Sequence, residues 1–175
     1  MATIALAEDL SDEDLLLDLL NTMPTVDGVP TDTLADRPGS RAWQKAHGGR
    51  GTAEERVRIR EARSVLQDVV RGDASPARLA PLVGEVSFRP VATKDGLSWT
   101  LDVADDDALA VRALLAWDRL RVAAPGRLRP CANDECTLFL LDRSKANTAR
   151  WCSMAVCGNR MKARRHYQRR RETQE

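Results

Sequence analysis

Four cysteines constrain this chain more than anything else in it. All the cysteines of the 175-residue protein fall in one window, as Cys131-Ala-Asn-Asp-Glu-Cys136, fifteen residues, then Cys152-Ser-Met-Ala-Val-Cys157. The two pairs share one spacing, and together they close a loop of the size at which four thiolates surround a tetrahedral Zn²⁺. In a reducing compartment, clustered cysteines are more often metal ligands than disulfides. Four thiolates leave no open coordination position, so the expected metal is one structural Zn²⁺ on Cys131, Cys136, Cys152 and Cys157. A module of about 45 residues with few large apolar side chains buries too little surface to fold without such a staple.

Charge is the second constraint. The formal net charge is only +1, but residues 127–175 hold 12 Lys/Arg against 5 Asp/Glu. The preceding 126 residues hold 15 bases and 21 acids, and the first 36 contain nine acids and no base. An acidic front and a basic end follow, and the basic end suits a phosphate-rich partner. No apolar run is long enough to predict a transmembrane helix. The acidic N-terminal stretch lacks the basic region of a signal peptide, so a cytoplasmic protein with no membrane partner is expected.

Along the chain, Ser11 and Asp14 precede Leu15, Leu16, Leu17, Leu19 and Leu20, predicting a buried helix over 11–22 with acids at its positive end. Residues 23–40 contain three prolines and two glycines and read as a long loop. A short helix carrying Trp43 is expected over 40–47, stopped by Gly48-Gly49. Thr52 with Glu55 forms a capping box for a helix whose Ile59, Ala62, Leu66, Val69 and Val70 share a face, ended by Gly72. Ser75-Pro76 opens a short helix reaching about Val83. Val86, Phe88 and Val91, then Leu97, Trp99, Leu101 and Val103, alternate around Lys94-Asp95-Gly96, a hairpin signal. Asp105, Asp106 and Asp107 start a further helix to about Val122, and Pro125-Gly126 breaks it. Trp43, Trp99 and Trp117 read mainly as core residues. The fold class expected is α+β: a mostly helical N-terminal domain over 1–126 with one β-hairpin, and a small Cys₄ zinc finger over 127–175.

Within the finger, Leu138, Phe139, Leu140 and Leu141 form a β-prone run, read as part of a hairpin joining the two ligand-bearing turns. Ser153 suits the cap of a basic helix beginning near Cys157 and reaching about Arg171. That would place the Cys157 thiolate in the first helical turn, where amide dipoles favour the anion. The order of knuckle, hairpin and helix is similar to treble-clef zinc fingers. On that helix Arg160, Arg164, Tyr167 and Arg171 share one side, and Lys162, Arg165 and Arg169 another. Two basic stripes let a helix lie in a groove with phosphates on both walls. The candidate nucleic-acid contacts are Arg143, Lys145, Arg150, Asn159, Arg160, Lys162, Arg164, Arg165, His166, Arg169 and Arg170, with Asn159, Arg160 and His166 placed for base edges.

The run Trp151-Cys152-Ser153-Met154, then Cys157-Gly158-Asn159-Arg160, Lys162 and Arg164-Arg165, resembles the bacterial CGNR zinc-finger family, and Asp142-x-Ser144 follows the same pattern. More loosely, Leu19-Leu20-Asn21-Thr22, Asp32-x-Leu34 and Trp43 resemble the ABATE domain that precedes the finger in that family. Its Arg-Gly-rich loop is replaced here by Met23-Pro24-Thr25-Val26-Asp27-Gly28. The resemblance implies a DNA-binding, stress-induced transcription regulator whose front domain senses a small molecule or a protein. Asn21, Thr22 and Trp43 are the candidate ligand pocket, although Asn21 and Thr22 equally suit a helix C-terminal cap and turn. An RNA-binding or transcription-machinery adaptor is the alternative. Only two histidines are present, neither with a recognisable nucleophile or acid partner, so no enzyme is expected.

Overall fold

The computed structural model describes residues 2–5, 11–26 and 28–172. Helix α1 (Ser11–Leu20) buries Leu15, Leu16, Leu19 and Leu20 completely or nearly so, and they form the centre of the main core. Helix α3 (Ala53–Arg71) supplies Ile59, Ala62 and Leu66 to the same core, and α5 (Ala108–Ala123) supplies Leu109, Ala113, Ala116 and Leu120. Thr52 caps α3 as its sequence predicts, its Oγ1 accepting from Glu55 N at 3.0 Å. At α1, Asp12 accepts from Arg112 Nε (2.9 Å) and Nη2 (2.7 Å) and from Arg119, tying that helix to α5. The expected Ser11 cap lies outside the described side chains.

The segment expected to be a loop is partly ordered. Strands β2 (Thr25–Val26) and β3 (Val29–Pro30) pair antiparallel, and α2 (Arg37–Ala46) begins before Ser40. The early start has a local cause: Asp36 Oδ1 accepts from Gly39 N at 2.7 Å, and Pro38 sits in the first turn, where its missing N–H costs nothing. After α3 come a 3₁₀ turn (Pro76–Leu79) and the short α4 (Ala80–Val83). The predicted hairpin is β4 (Ser87–Thr93) and β5 (Gly96–Val103), closed by Lys94-Asp95. Strand β1 (Ala2–Ala5) adds antiparallel to β5, giving a sheet of order β1-β5-β4. Four residues without a bounded alternating pattern gave no strand signal. Leu101 and Val103 pack on Val111 of α5, whereas Trp99 and Leu97, farther out on β5, are 49% and 69% exposed. Trp99 is therefore not a core residue, because the hairpin outruns the helix beneath it.

The end of α1 is fixed by polar groups. Arg63 is 5% exposed, and its Nη1 donates to Thr22 Oγ1 (2.8 Å) and Asp32 Oδ1 (2.6 Å), with Nη2 on Asp32 Oδ2 (2.9 Å). Gln67 Nε2 donates to the Leu20 carbonyl. Thr22 Oγ1 itself donates to Leu19 O, a C-terminal cap.

Strands β6 (Leu128–Pro130) and β7 (Phe139–Leu141) then pair antiparallel and dock against this helical body. Phe139 is 1% exposed and belongs to the same core cluster as the leucines of α1. Asn21 meets its backbone on both sides: Phe139 N donates to Asn21 Oδ1 (2.8 Å), and Asn21 Nδ2 donates to Phe139 O (3.2 Å). Thr137 Oγ1 donates to Met23 O, Arg71 Nη2 to Thr137 O, and the Arg71 guanidinium lies 4.6 Å over the Phe139 ring.

Replacing Asp32 by Ala strands the buried Arg63 guanidinium, and urea denaturation at neutral pH is expected to show a loss of about 3–5 kcal/mol. The hydrogen bonds from Arg63 hold the Asp32 carboxyl below the usual carboxylate range despite its burial. A depressed folded-state pKa stabilises above the unfolded value, so the gap between wild type and variant should narrow as pH falls below about 4.

Candidate metal centre

The first cysteine pair lies in the connection between β6 and β7. Cys131 N donates to Leu138 O at 2.8 Å, extending the ladder by one step, and Cys136 N donates to Asn133 O at 2.8 Å to close the knuckle. The β-prone run 138–141 therefore pairs backward onto Leu128–Pro130 and encloses the first pair, rather than joining the two pairs as expected. The reason is the polar stretch that follows. Asp142, 2% exposed, accepts from Arg129 Nη2 (2.5 Å), Ser144 N (2.9 Å) and Ala149 N (2.8 Å), folding 142–149 into a closed loop that cannot act as a strand. These donors, led by Ser144, outweigh burial and hold the Asp142 carboxyl down at about 2. Arg127 reinforces the loop by donating to the carbonyls of Asp142 and Ser144.

The second pair is brought against the first by Ala132 N donating to Arg150 O (2.8 Å) and Cys152 N pointing at Cys131 Sγ (3.5 Å). Ser153 caps the next turn, its Oγ accepting from Val156 N. That turn (Met154–Gly158) is π-helical, with Gly158 N on Ser153 O, and α6 (Asn159–Glu172) starts only after it. Cys157 thus sits in the wider turn preceding the α-helix and not in the helix's first turn. A Cβ at residue 158 would lie 2.8 Å from the Met154 sulfur and 3.3 Å from Trp151 Cδ1, so a larger residue there would have to displace the Met154 side chain.

The result is four sulfurs within 4.8 Å of one another. Cys152 Sγ is 3.7 Å from both Cys136 Sγ and Cys157 Sγ. A tetrahedron with Zn–S of about 2.3 Å has sulfurs about 3.8 Å apart, whereas a disulfide needs about 2.05 Å. The donor set and its spacing fit zinc. Burial pushes the Cys136 thiol up to about 11 and the Cys152 thiol higher still. At Cys157 burial is outweighed by hydrogen bonds, first that of Asn133 Nδ2 to its sulfur (3.6 Å), and the thiolate is favoured. Asn133, fully buried in the knuckle, is a supporting residue that spacing arguments passed over. The buried Asp142 is another, visible in sequence only as part of a pattern.

The C-terminal module is therefore a four-cysteine zinc finger with one structural Zn²⁺ site. Residues 127–170 match the family model of the CGNR zinc finger. No curated protein matches the chain.

Around this centre the candidate contacts separate into groups. Arg160 and Arg164 lie 4.0 and 3.4 Å from the Glu135 carboxylate, which turns their stripe of α6 toward the knuckle. Lys162, Arg165 and Arg169 lie on the opposite side of α6, and Asn159, His166 and Arg170 are exposed between the two. Asn159 Nδ2 donates to Ala155 O, and His166 meets Tyr167 edge-on at 6.0 Å. Arg143 is bonded to Asp14 of α1 at 2.5 Å, Arg150 lies over the Trp151 ring, and Lys145 is exposed. Asn21 and Thr22 are engaged with Phe139 and Arg63 as described, and Trp43 stacks on His47 with centroids 4.1 Å apart.

One equivalent of zinc per chain is expected by elemental analysis, and Cys136→Ser should lose it. Because Cys136 and Cys152 bind as thiolates, loading should release protons and tighten as pH rises between about 6 and 8, measurable with a competing chelator.

Proposed function

We propose that the finger binds duplex DNA through α6 and that residues 1–126, an ABATE-like domain, govern this binding in response to a ligand or partner. The protein is then a cytoplasmic transcription regulator and not an enzyme. The observation carrying the reading is α6 itself: from Lys162 to Arg171 every residue is exposed, and the helix holds seven Lys/Arg against one acid. A 14-residue helix that packs almost nothing is marginal in water, and like charges along it repel. A groove lined by phosphates removes the repulsion and gains by counterion release. The docking of β7 on Asn21 and α3 gives the front domain a mechanical hold on the finger.

The test is duplex binding by fluorescence anisotropy against salt, after selection of bound sequences with and without chelator. Lys162→Ala and Arg165→Ala should each lower the salt slope by about one unit, and Arg164→Ala by less because Glu135 already partners it. Unchanged slopes in the first two variants would overturn the assignment to α6. A preference for structured RNA over duplex DNA would instead support an adaptor role.

A further inference from the structure

Helix α2 buries the wrong kind of face for a packing helix. Arg37, Ser40, Arg41 and Gln44 recur at the spacing that shares one side of a helix, and Ser40 and Gln44 on it are 0% and 1% exposed. Apolar residues would ordinarily occupy such positions. Instead these four residues, with Gly51, Thr52, Ala53 and Arg56, line a cleft of about 280 Å³ between α2 and the first turn of α3. That is near the lower end of the roughly 300–1,000 Å³ typical of small-molecule sites.

Three observations define its chemistry. Gln44 Nε2 donates to Ser40 Oγ at 2.8 Å, which leaves Gln44 Oε1 buried with no hydrogen-bond partner among the described residues. A buried amide oxygen in that state carries a desolvation cost that a donor from a ligand would relieve. Arg37 and Arg41 make no hydrogen bond or ion pair among the described residues, and Arg56 donates only to the Ala35 carbonyl at 3.3 Å. The first turn of α3 borders the same place, but Thr52 Oγ1 already caps its Glu55 N–H and the turn carries Glu54 and Glu55, so the guanidinium groups supply the attraction for an anion. Gly51, with φ of +77°, lets Arg41 pass, since a Cβ there would lie 3.0 Å from Arg41 Cγ. The Glu55 carboxylate does not line the cleft, and its Oε2 accepts from Gly51 N.

We propose that this cleft binds a small oxyanion carrying a hydroxyl or amino group. The oxyanion would meet Arg37, Arg41 and Arg56, and the donor would meet Gln44 Oε1. Carboxylate and phosphate share the charge chemistry, and the cleft's size excludes nucleotides of more than one base. The inference deepens the sensing half of the reading above, and it rests on that reading only for the ligand's role as an effector.

The experiment uses the full-length, zinc-loaded protein and isothermal titration calorimetry at low ionic strength, with glycerol 3-phosphate, glycolate and inorganic phosphate as probes. Saturable one-to-one binding of glycerol 3-phosphate or glycolate is expected, and the tighter of the two identifies the anion. Arg41→Gln, at an exposed side chain with no partner among the described residues, should weaken binding by about tenfold or more, whereas Arg165→Gln in α6 should leave it unchanged. Gln44→Leu should weaken glycerol 3-phosphate more than inorganic phosphate. The proposal is overturned if no probe saturates at millimolar concentration, if Arg41→Gln has no effect, or if Arg165→Gln abolishes binding. Repeating the DNA titration with the bound probe separates the two ideas: binding at the cleft with no DNA affinity sinks the regulator reading and leaves the site standing.

Discussion

Everything C-terminal to α5 takes its position from the grip on Phe139. Its ring fills the core built by α1, α3 and α5, and its backbone amide is matched on both sides by the Asn21 side chain. An asparagine carboxamide presents one acceptor and one donor at peptide-like spacing, so it substitutes for a neighbouring strand at the edge of β7. Apolar burial supplies the driving force of this joint, and the paired hydrogen bonds fix its register. The finger is consequently held by the same core that the front helices need for themselves.

Two different stabilisers meet across this joint. The front is held by leucine burial and by a few polar anchors, Arg63–Asp32 and Asp12–Arg112 among them. The finger has little core beyond Phe139 and Leu140, and it relies on the thiolate cluster and the loop closed on Asp142. Metal binding in such a module is folding energy, because the ligands are scattered in the unfolded chain. Since Phe139 is shared, the metal also supports the helical body indirectly. The acidic front and basic end are partly reconciled here, with Arg143 bound to Asp14. The outer stripe of α6 lies on the side of the helix away from Glu135, so positive charge is concentrated along that helix.

The same distinction between saturated and unsaturated polar groups separates the two candidate sites of the front domain. Asn21 and Thr22 have their hydrogen-bonding capacity used by Phe139, Arg63 and Leu19 O, so their conservative polarity serves architecture. The α2–α3 cleft holds the opposite condition: among the described residues, the buried Gln44 Oε1 has no donor and Arg37 and Arg41 have no acceptor. Stable folds satisfy buried polar groups, and exceptions concentrate where a ligand completes the set.

The sequence by itself determined the metal centre, because four thiolates at matched spacing have few other uses and coordination geometry is nearly independent of the surrounding fold. It also determined α1, α3, α5 and the β4–β5 hairpin, where periodicity, the Thr52 cap of α3 and the turn residues before Gly96 agree locally, although Asp107 makes no capping bond at α5. Only the tertiary structure decided which way the 138–141 run would pair. The run is β-prone in either direction, and the choice was made by Asp142 drawing donors from Arg129, Ser144 and Ala149. Likewise β1 exists because β5 offers it an edge, and Cys157 enters a π turn closed by Gly158 N on Ser153 O. The polar face of α2 was written in Arg37, Ser40, Arg41 and Gln44, yet it became a cleft only when α3 was packed beside it. Local chemistry reads out along the chain, whereas burial is a property of what lands opposite.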